Sequence, residues 1–408
     1  MNIIKNVEIT NYRGIEEMQF PCSSINIIVG PNNTGKSSIL ESIWMAVSSP
    51  NGFEDDLETR LYDIGVTENI RYLVHQGKRK STIKLEMFGN DRITLDLLYS
   101  EKGYSEEVAE FFLDFINETP KTDILDYHRC PLKSELHFKI MELYSIENKI
   151  NRLSKKEGSK EELDKLLKRV SENLESAIEE YINELIKSEK IFLTSKLNND
   201  LIGIRAIIDA CEWEIPIPNE DVLTLYAPLI ISSPHIDKDV SELYKKLVNT
   251  KKLAGVLDTL KERIPYFEDI REAGGDLRVL LENLDEPLPL SSMGDGFKTL
   301  LKLSFMAPLV KNGIILFEEP EASMHPGYLN VLAREIISSS EYSQIFISTH
   351  SLELIEYLLE KAEKSDKIES IKILRLRRLS DGYIEREFCS GKEAAEEMEI
   401  IKTDLRGY

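Results

Sequence analysis

The 408-residue sequence lacks the features that mark membrane-spanning, secreted and zinc-binding proteins. No apolar stretch approaches the roughly 20 residues that cross a bilayer, and the amino terminus lacks the apolar core and cleavage site of a secretion signal. The four cysteines (Cys22, Cys130, Cys211 and Cys389) form no C-x-x-C pair, which argues against a zinc site and a disulfide framework. We therefore expect a cytoplasmic protein with no membrane partner.

Positive charge is also scarce. The chain has 51 Lys and Arg against 72 Asp and Glu, a formal net charge of −21. This surplus of acid excludes a surface that binds nucleic acid everywhere through charge alone, but it allows a local basic groove. Two short basic runs, Lys78–Lys80 and Lys372–Arg378, could line such a groove or could be ordinary solvated faces.

A glycine-rich string stands between a predicted strand and a predicted helix. Residues 30–37 read GPNNTGKS and follow the apolar run Ile25–Val29. A phosphate-binding loop needs glycines where a side chain would collide, a lysine for the outer phosphates and a hydroxyl for Mg²⁺. The two glycines, Lys36 and Ser37 supply these groups. The alternative, a glycine turn that matches by chance, is disfavoured by the flanking strand and helix.

A second apolar run ends in acids. Residues 312–321 read NGIILFEEPE, a predicted buried strand that stops at Glu318 and Glu319. Carboxylates beside a phosphate loop are what Mg²⁺ and an attacking water require. Taken alone, the run could equally be a core strand with a solvated acidic end. Together with the phosphate loop, it predicts a nucleoside triphosphate site.

Two weaker signals lie in the same part of the chain. Residues 290–298 read LSSMGDGFK and lead into an apolar helix, whose first N–H groups would suit a γ-phosphate. The alternative is an ordinary helix start capped by Ser292. His350 ends the run IFISTH and could hydrogen-bond a γ-phosphate or the attacking water. Alternatively, it could simply precede Ser351 at the cap of the next helix.

Composition divides the chain into three parts. Between residues 132 and 191 glycine nearly vanishes, and Lys, Glu, Leu and Ile recur at helical spacing. This pattern predicts an inserted helical hairpin or, equally, two amphipathic helices packed on the core. Residues 1–131 are then an N-terminal lobe with the phosphate loop, and residues 192–408 are a C-terminal lobe. Within the first lobe, Ile70–His75 and Ser81–Met87 are predicted to form a hairpin.

The order of these segments resembles the ABC-type ATPases that include RecF, the SMC proteins, the zinc-hook repair ATPase and the OLD family. The matching strings are NYRGI at 11–15, GPNNTGKSS at 30–38, SSMGDG at 291–296, FEEPEASMHP at 317–326 and STHS at 348–351. They resemble the opening turn, phosphate loop, signature, acidic strand with D-loop, and switch-histidine loop of those heads. The resemblance implies an α/β fold: a two-lobed ABC-type ATPase head with a mixed sheet, a P-loop helix, a helical lobe and an inserted helical hairpin.

The resemblance also implies a role for each matching residue, with ATP and Mg²⁺ as cofactors. Lys36 would bind the β- and γ-phosphates, while Ser37 and Glu318 would hold Mg²⁺. Glu319 would polarise the attacking water, and His350 would sense the γ-phosphate. The other nucleotide contacts it implies are Arg13, Gly30, Asn32, Asn33, Thr34, Gly35 and Ser38 and, from a second subunit, Ser292 and Gly294.

The chain departs from the family pattern at three points that bear on the hydrolysis rate. Glu318 stands where these ATPases usually have Asp, which adds a methylene to the acid that helps to hold the metal. Met293 replaces the glycine often found in the signature. No Q-loop glutamine can be placed, because Gln76 falls in a predicted turn.

The signature of such heads does not easily serve its own phosphate loop, so the resemblance implies a homodimer with ATP sandwiched between the subunits. The chain ends 58 residues after His350, too few for a Toprim nuclease domain, so we expect no nuclease in the same chain. The resemblance to the ATPase halves of two-component phage-defence systems implies a Toprim or HNH nuclease effector in trans. Three interpretations stay open. They are an ATPase that works through an effector in phage defence or DNA repair, a RecF-like ATPase that binds DNA directly, and an ATP-dependent scaffold with very slow turnover.

Overall fold

The computed structural model describes most of the chain outside the central insertion. The described residues are 3–48, 70–100, 128–129, 190–208, 211–215, 228–231, 236–310, 312–322, 324–379 and 384–401, with isolated positions between 146 and 176. The helical hairpin predicted for residues 132–191 therefore lies outside the described residues, apart from those isolated positions, which are helical, and the last two residues.

The described elements follow one another in this order along the chain. The strands are β1 (Ile4–Tyr12), β2 (Ile15–Pro21), β3 (Ile25–Val29), β4 (Lys80–Met87), β5 (Arg92–Ser100), β6 (His128–Arg129), β7 (Lys190–Leu197), β8 (Asp200–Ile208), β9 (Cys211–Ile215), β10 (Pro228–Ile231), β11 (Phe267–Ala273), β12 (Asp276–Leu281), β13 (Leu288–Pro289), β14 (Ile314–Glu318), β15 (Gln344–Thr349), β16 (Ile371–Arg378) and β17 (Ile384–Ser390). The helices are α1 (Lys36–Ser48), α2 (Ile236–Asn249), α3 (Leu253–Arg263), α4 (Asp295–Met306), α5 (Pro326–Ser339), α6 (Leu352–Lys364) and α7 (Gly391–Ile401).

A six-stranded sheet in the order β10-β14-β15-β3-β16-β17 lies at the centre of the fold. Its first five strands are parallel, and β17 is an antiparallel edge. Strands β3, β14 and β15 are buried along almost their whole length, because helices cover one face and α1 covers the other. The carboxyl ends of these three neighbouring strands meet at one edge, where the phosphate loop, the acidic segment and His350 follow them.

An eight-stranded antiparallel sheet in the order β2-β1-β4-β5-β7-β8-β9-β6 covers α1 from outside. Almost every residue of α1 is buried, and its apolar side chains share one core cluster with both sheets. On the opposite face of the parallel sheet, α2 to α7 and the small sheet β11-β12-β13 enclose a second core cluster. The helix that begins at the phosphate loop is thus fixed by packing on both sides.

The hairpin predicted from Ile70–His75 is wrong. Residues Ile70–Leu73 form a short 3-10 turn, and β4 pairs instead with β1 and β5. The carbonyl of the last turn residue accepts from the Arg13 N–H, and the His75 N–H donates to the Asn11 carbonyl. The segment therefore forms backbone hydrogen bonds with the turn between β1 and β2. Its apolar composition did not predict these bonds.

The two predicted lobes interleave in space. The boundary after residue 191 falls inside β7, which pairs with β5 from the N-terminal segment. Conversely, β3 lies between β15 and β16 of the C-terminal segment. Cys22 and Cys389 are buried free thiols. No helix in the described part of the chain is both long and apolar enough to cross a membrane.

A single buried glutamine joins the two large sheets. Gln344 Oε1 accepts from the N–H groups of Ile3 and Ile4 at 3.1 and 2.6 Å. Its Nε2 donates to the carbonyls of Ile4 and Ser23, both at 2.8 Å. Because Gln344 begins β15, these four bonds tie the start of the antiparallel sheet to the strand that carries His350.

We predict that Gln344→Met lowers the free energy of unfolding by about 3 kcal/mol or more, because it leaves several buried backbone groups without partners. Methionine has nearly the same size, so packing changes little. Urea denaturation measures the loss, with Gln76→Met, at an exposed turn position, as the matched control. An unfolding free energy equal to that of Gln76→Met would contradict the role given to the amide.

Candidate functional site

The loop after β3 can be built only with its two glycines. A Cβ on Gly30 would lie 2.5 Å from the carbonyl oxygen of Leu376, a distance that no side chain tolerates. Gly35 has φ +90° and would place a Cβ 3.3 Å from Ile15 Cγ1. Asn33 also lies in the left-handed region, at φ 62°, which asparagine adopts more readily than most residues. Sequence and backbone geometry therefore agree on a tightly curled loop.

Two side chains hold this loop from inside. The buried Thr34 hydroxyl donates to the Pro31 carbonyl at 2.8 Å. Lys36 Nζ donates to the carbonyls of Gly30 and Pro31, both at 3.0 Å, and the residue is only 6% exposed. These bonds place the ammonium group inside the curl of the loop, where the phosphates of a nucleotide would meet it.

The lysine is surrounded by carboxylates. Burial lowers the pKa of Lys36, while the negative charges of Glu319, Glu321 and Glu318 act in the opposite direction. The three acids that follow or end β14 therefore lie within electrostatic reach of the phosphate loop. Because β3 and β14 both pair with β15, sheet register alone brings these groups together.

Glu319 has an unusual backbone. Its φ is 44°, and holding a non-glycine residue there costs about 1–3 kcal/mol. Its N–H donates to the Ser348 carbonyl at 2.9 Å, which fixes the turn against β15. Glu319 Oε1 lies 2.9 Å from His350 Nε2, although the pair lacks hydrogen-bond geometry. The two predicted catalytic side chains are therefore brought into contact.

Glu321 is a site residue to which the sequence analysis gave no role. Its Oε1 accepts from the Thr349 hydroxyl at 2.6 Å and from the His350 N–H at 2.8 Å. Burial raises the pKa of Glu321, whereas the bonds from Thr349 and His350 lower it. This carboxylate fixes the backbone of His350. The only sequence signal for it was its place in the string Glu-Pro-Glu.

His350 lies immediately before a capped helix, as the alternative interpretation also expected. The Ser351 hydroxyl accepts from the Leu354 N–H at 3.1 Å and caps α6. The helix cap and the contact with Glu319 occur together, because Ser351 provides the cap and His350 provides the contact. The cap fixes the direction in which the chain leaves β15, and so the position of the imidazole.

Arg13 lies near the phosphate loop, but its charge is already paired. It occupies the tight turn between β1 and β2 at φ 50°, and its guanidinium forms an ion pair with Glu41 of α1. Burial, the largest influence, lowers the pKa of Arg13, but Glu41, Tyr12 and Glu318 together raise it overall. The ion pair anchors the turn to the helix of the phosphate loop, a connection that the sequence analysis missed.

The signature segment begins a helix that no side chain caps. Ser292 ends a short 3-10 turn, and Gly294 occupies the N-cap position of α4. The alternative interpretation, with Ser292 as the cap, is therefore wrong. Both residues are exposed, so the start of α4, whose first N–H groups have no partner within the helix, lies at the surface. In the first turn of α4, a Cβ on Gly296 would lie 3.3 Å from Met324 and Tyr328, so α4 packs closely on the segment after Glu321.

The remaining predicted residues also lie at the phosphate loop. Asn32 and Asn33 are exposed, Ser37 is half-buried and Ser38 is buried. In the described ranges, no three His, Cys, Asp or Glu side chains are grouped as they would be in a metal cage. The half-buried hydroxyl of Ser37 and carboxylate of Glu318 are hard oxygen ligands. They fit Mg²⁺, which usually takes its other ligands from phosphates and water.

Comparison with known proteins found relatives over most of the chain. An ATP/GTP phosphatase from Helicobacter pylori is 23% identical over 398 residues, covering 94% of each chain. The Retron Ec83 probable ATPase from Escherichia coli is 21% identical over 379 residues, covering 85% of this chain and 68% of its own length.

A longer relative matches over part of its length. The endonuclease GajA from Bacillus cereus is 25% identical over 377 residues, covering 86% of this chain but only 56% of GajA. A family described as the AAA ATPase domain matches residues 1–355, a range that includes every predicted site residue. The chain belongs to the AAA ATPase domain family, and it is an ABC-type P-loop ATPase that hydrolyses ATP.

Proposed function

We propose that this ATPase closes into a head-to-tail homodimer over two MgATP molecules and uses their hydrolysis to gate a DNA-directed effector. The observation that carries the proposal is the meeting of Lys36, the acids Glu318–Glu321 and His350 at one edge of the parallel sheet. The uncapped start of α4 supplies the reason for a second subunit.

The phosphate loop would hold the triphosphate. The Lys36 ammonium would contact the β- and γ-phosphates from the position that the Gly30 and Pro31 carbonyls give it. Ser37 and Glu318 would hold Mg²⁺, which when bound neutralises part of the phosphate charge. Glu318 would reach the metal with one methylene more than the usual aspartate, so it can lie further from the loop.

Glu319 is the proposed general base. Its carboxylate is 44% exposed, so a water molecule can reach it. As the water oxygen attacks the γ-phosphorus, Glu319 would take the proton, and the bond between the γ-phosphorus and the β–γ bridging oxygen would break. His350, in contact with Glu319, would orient the carboxylate and donate to the γ-phosphate. Glu321 would act as a positioning residue that holds the His350 backbone.

A second copy of the chain would complete each site. Gly294 and Asp295 are exposed and form the positive start of α4, and a helix of 12 residues has a dipole that suits a γ-phosphate. In a symmetric dimer, the same contact occurs twice. ATP would then bridge the two subunits, and its hydrolysis would weaken the contact between them.

Charge favours an effector over direct binding of DNA. Lys78 lies 3.8 Å from Glu16 and Lys80 lies 3.2 Å from Asp96, so the first basic run is partly neutralised. In the second run, Arg375 pairs with glutamates of β17 and α7, and the strand register sets another arginine of β16 opposite a glutamate of β17. Both runs therefore fit solvated, charge-balanced faces.

The relatives favour a DNA-directed role. One is the Retron Ec83 probable ATPase. Another is an endonuclease, and this chain matches 56% of the length of that endonuclease. In our proposal, a Toprim or HNH nuclease acts in trans, and the ATPase controls when it cuts. The groups that hydrolysis needs for phosphate binding, Mg²⁺ binding and proton transfer are present as Lys36, Ser37 and Glu319. Their presence argues against a scaffold with very slow turnover.

We predict that Glu319→Gln reduces ATP hydrolysis by about 100-fold or more, because the amide cannot accept the proton. The variant keeps the size of the side chain and should accumulate as a dimer in saturating MgATP. Phosphate release and light scattering measure the two effects, with Glu363→Gln, at an exposed position on α6, as the control. A monomeric Glu319→Gln protein would contradict the ATP-bridged dimer.

Mixing two inactive variants tests whether the site is shared. Lys36→Ala disables the phosphate loop, and Ser292→Arg blocks the start of α4. Alone, each should be inactive. In an equal mixture, half of the dimers pair the two variants, and each such dimer has one intact site, so about a quarter of wild-type activity should return. If each α4 served its own phosphate loop, no activity would return.

We predict that the full chain shows no salt-dependent binding of double-stranded DNA, with or without ATP, because acids balance its basic runs. Fluorescence anisotropy between about 50 and 200 mM salt measures the slope of log K against log salt. A slope of about −3 or steeper, reduced in an Arg377→Glu, Arg378→Glu double variant, would support direct DNA binding instead.

A further inference from the structure

A cavity of about 500 Å³ lies in the helical layer, between α3, the carboxyl end of α4 and the carboxyl end of α5. The 12 residues of α4 separate this end from the uncapped start at Gly294 by roughly 18 Å. The cavity is therefore distinct from the proposed ATP site. Its volume is that of pockets that take small organic ligands.

One end of the cavity is positive. Lys252 stands at the N-cap of α3, but its ammonium group has no acceptor for the helix N–H groups, so its side chain does not cap the helix. Its Nζ donates instead to the Pro308 carbonyl at 2.8 Å. Lys251, Lys252 and Gly255 all line the cavity, so the start of α3, whose first N–H groups have no partner within the helix, lies at its wall. Gly255, in the first turn, has space around it, since a Cβ there would meet no described atom within 4 Å.

Two buried hydroxyls at the cavity have no partner. Ser304 of α4 and Ser339 of α5 both line it, each is 4% exposed, and neither Oγ makes a hydrogen bond in the described part of the protein. Helical hydroxyls usually donate to a carbonyl one turn back, as Ser338 does to Arg334 and Thr259 does to Gly255 at 2.9 Å. A polar ligand in the cavity would satisfy both of these buried hydroxyls.

The charge of the wall defines the ligand. Arg263 and Glu335 form an ion pair with each other, so their charges cancel. The other charged residues that line the cavity, Lys251 and Lys252, are both positive. A ligand that fits is therefore an anion with hydroxyl or carbonyl groups that can reach the serines.

We propose that this cavity binds a small organic anion of sugar-phosphate size. Its acidic group would lie at the start of α3, between the N–H groups and Lys251. Its polar body would bond Ser304 and Ser339 at the opposite wall. The proposal does not depend on the dimer or on the effector.

Calorimetry on the full chain tests the proposal, with the phosphate loop first saturated with MgATPγS. Ribose 5-phosphate and citrate represent the phosphate and carboxylate classes, and inorganic phosphate tests the acidic group alone. We expect at least one organic anion to bind with a Kd below about 1 mM, and inorganic phosphate to bind about tenfold more weakly because it does not reach the serines. Lys251→Glu should weaken binding by about tenfold or more. Lys261→Glu, on α3 but outside the cavity wall, should not.

The serines give a second test. Ser304→Ala and Ser339→Ala should each weaken binding by about fivefold, while the Tm of the ligand-free protein stays the same or rises, because each change removes a buried group without a partner. The proposal is overturned if neither organic anion binds at about 10 mM. It is also overturned if Lys251→Glu and both serine variants bind as the wild type does.

Discussion

The parallel pairing of β14, β15 and β3 is the constraint on which the site depends. Glu318 pairs with Ser348, and Thr349 pairs with Val29, so the three strands end together. The next residues, Glu319, His350 and Gly30, must therefore emerge side by side. A shift of one residue in either pairing would turn every side chain of a strand to the opposite face. The two faces of these strands pack into two different core clusters, so the shift would disrupt the packing of both. The relative positions of the residues at the site therefore follow from the register of these apolar strands.

Local signals made much of this arrangement predictable. Short apolar runs followed by glycine or acids identified β3 and β14. The helices expected after the glycine-rich string, after the signature string and after His350 correspond to α1, α4 and α6. The groups that sequence analysis missed all depend on partners far along the chain. Gln344 bonds backbone some 340 positions away, and Arg13 finds Glu41 only after α1 packs beneath the turn. The hairpin prediction for residues 70–75 failed for the same reason. The apolar residues of this segment fit a strand, but the distant β1–β2 turn determines their conformation.

Electrostatics explains why nucleotide and metal would enter together. Three carboxylates surround one buried lysine, and the nearby arginine is already neutralised by Glu41. A bare triphosphate would meet more negative than positive charge there, whereas its magnesium complex carries much less. Positive charge is also paired at the surface, where basic residues of β4 and β16 form ion pairs with glutamate or aspartate. Individual Lys and Arg side chains, rather than a positive potential over the whole surface, would select the ligands of this acidic protein.

The close contact of Gly296 with Met324 and Tyr328 has a consequence for how two sites would communicate. In the proposed dimer, α4 of one copy touches the nucleotide of the other copy, while the segment after Glu321 serves its own. Because these two pieces are in close contact, a movement of one would displace the other. Each copy would then transmit the state of its neighbour's γ-phosphate to its own general base, so that hydrolysis in the two halves would alternate or coincide rather than proceed at random.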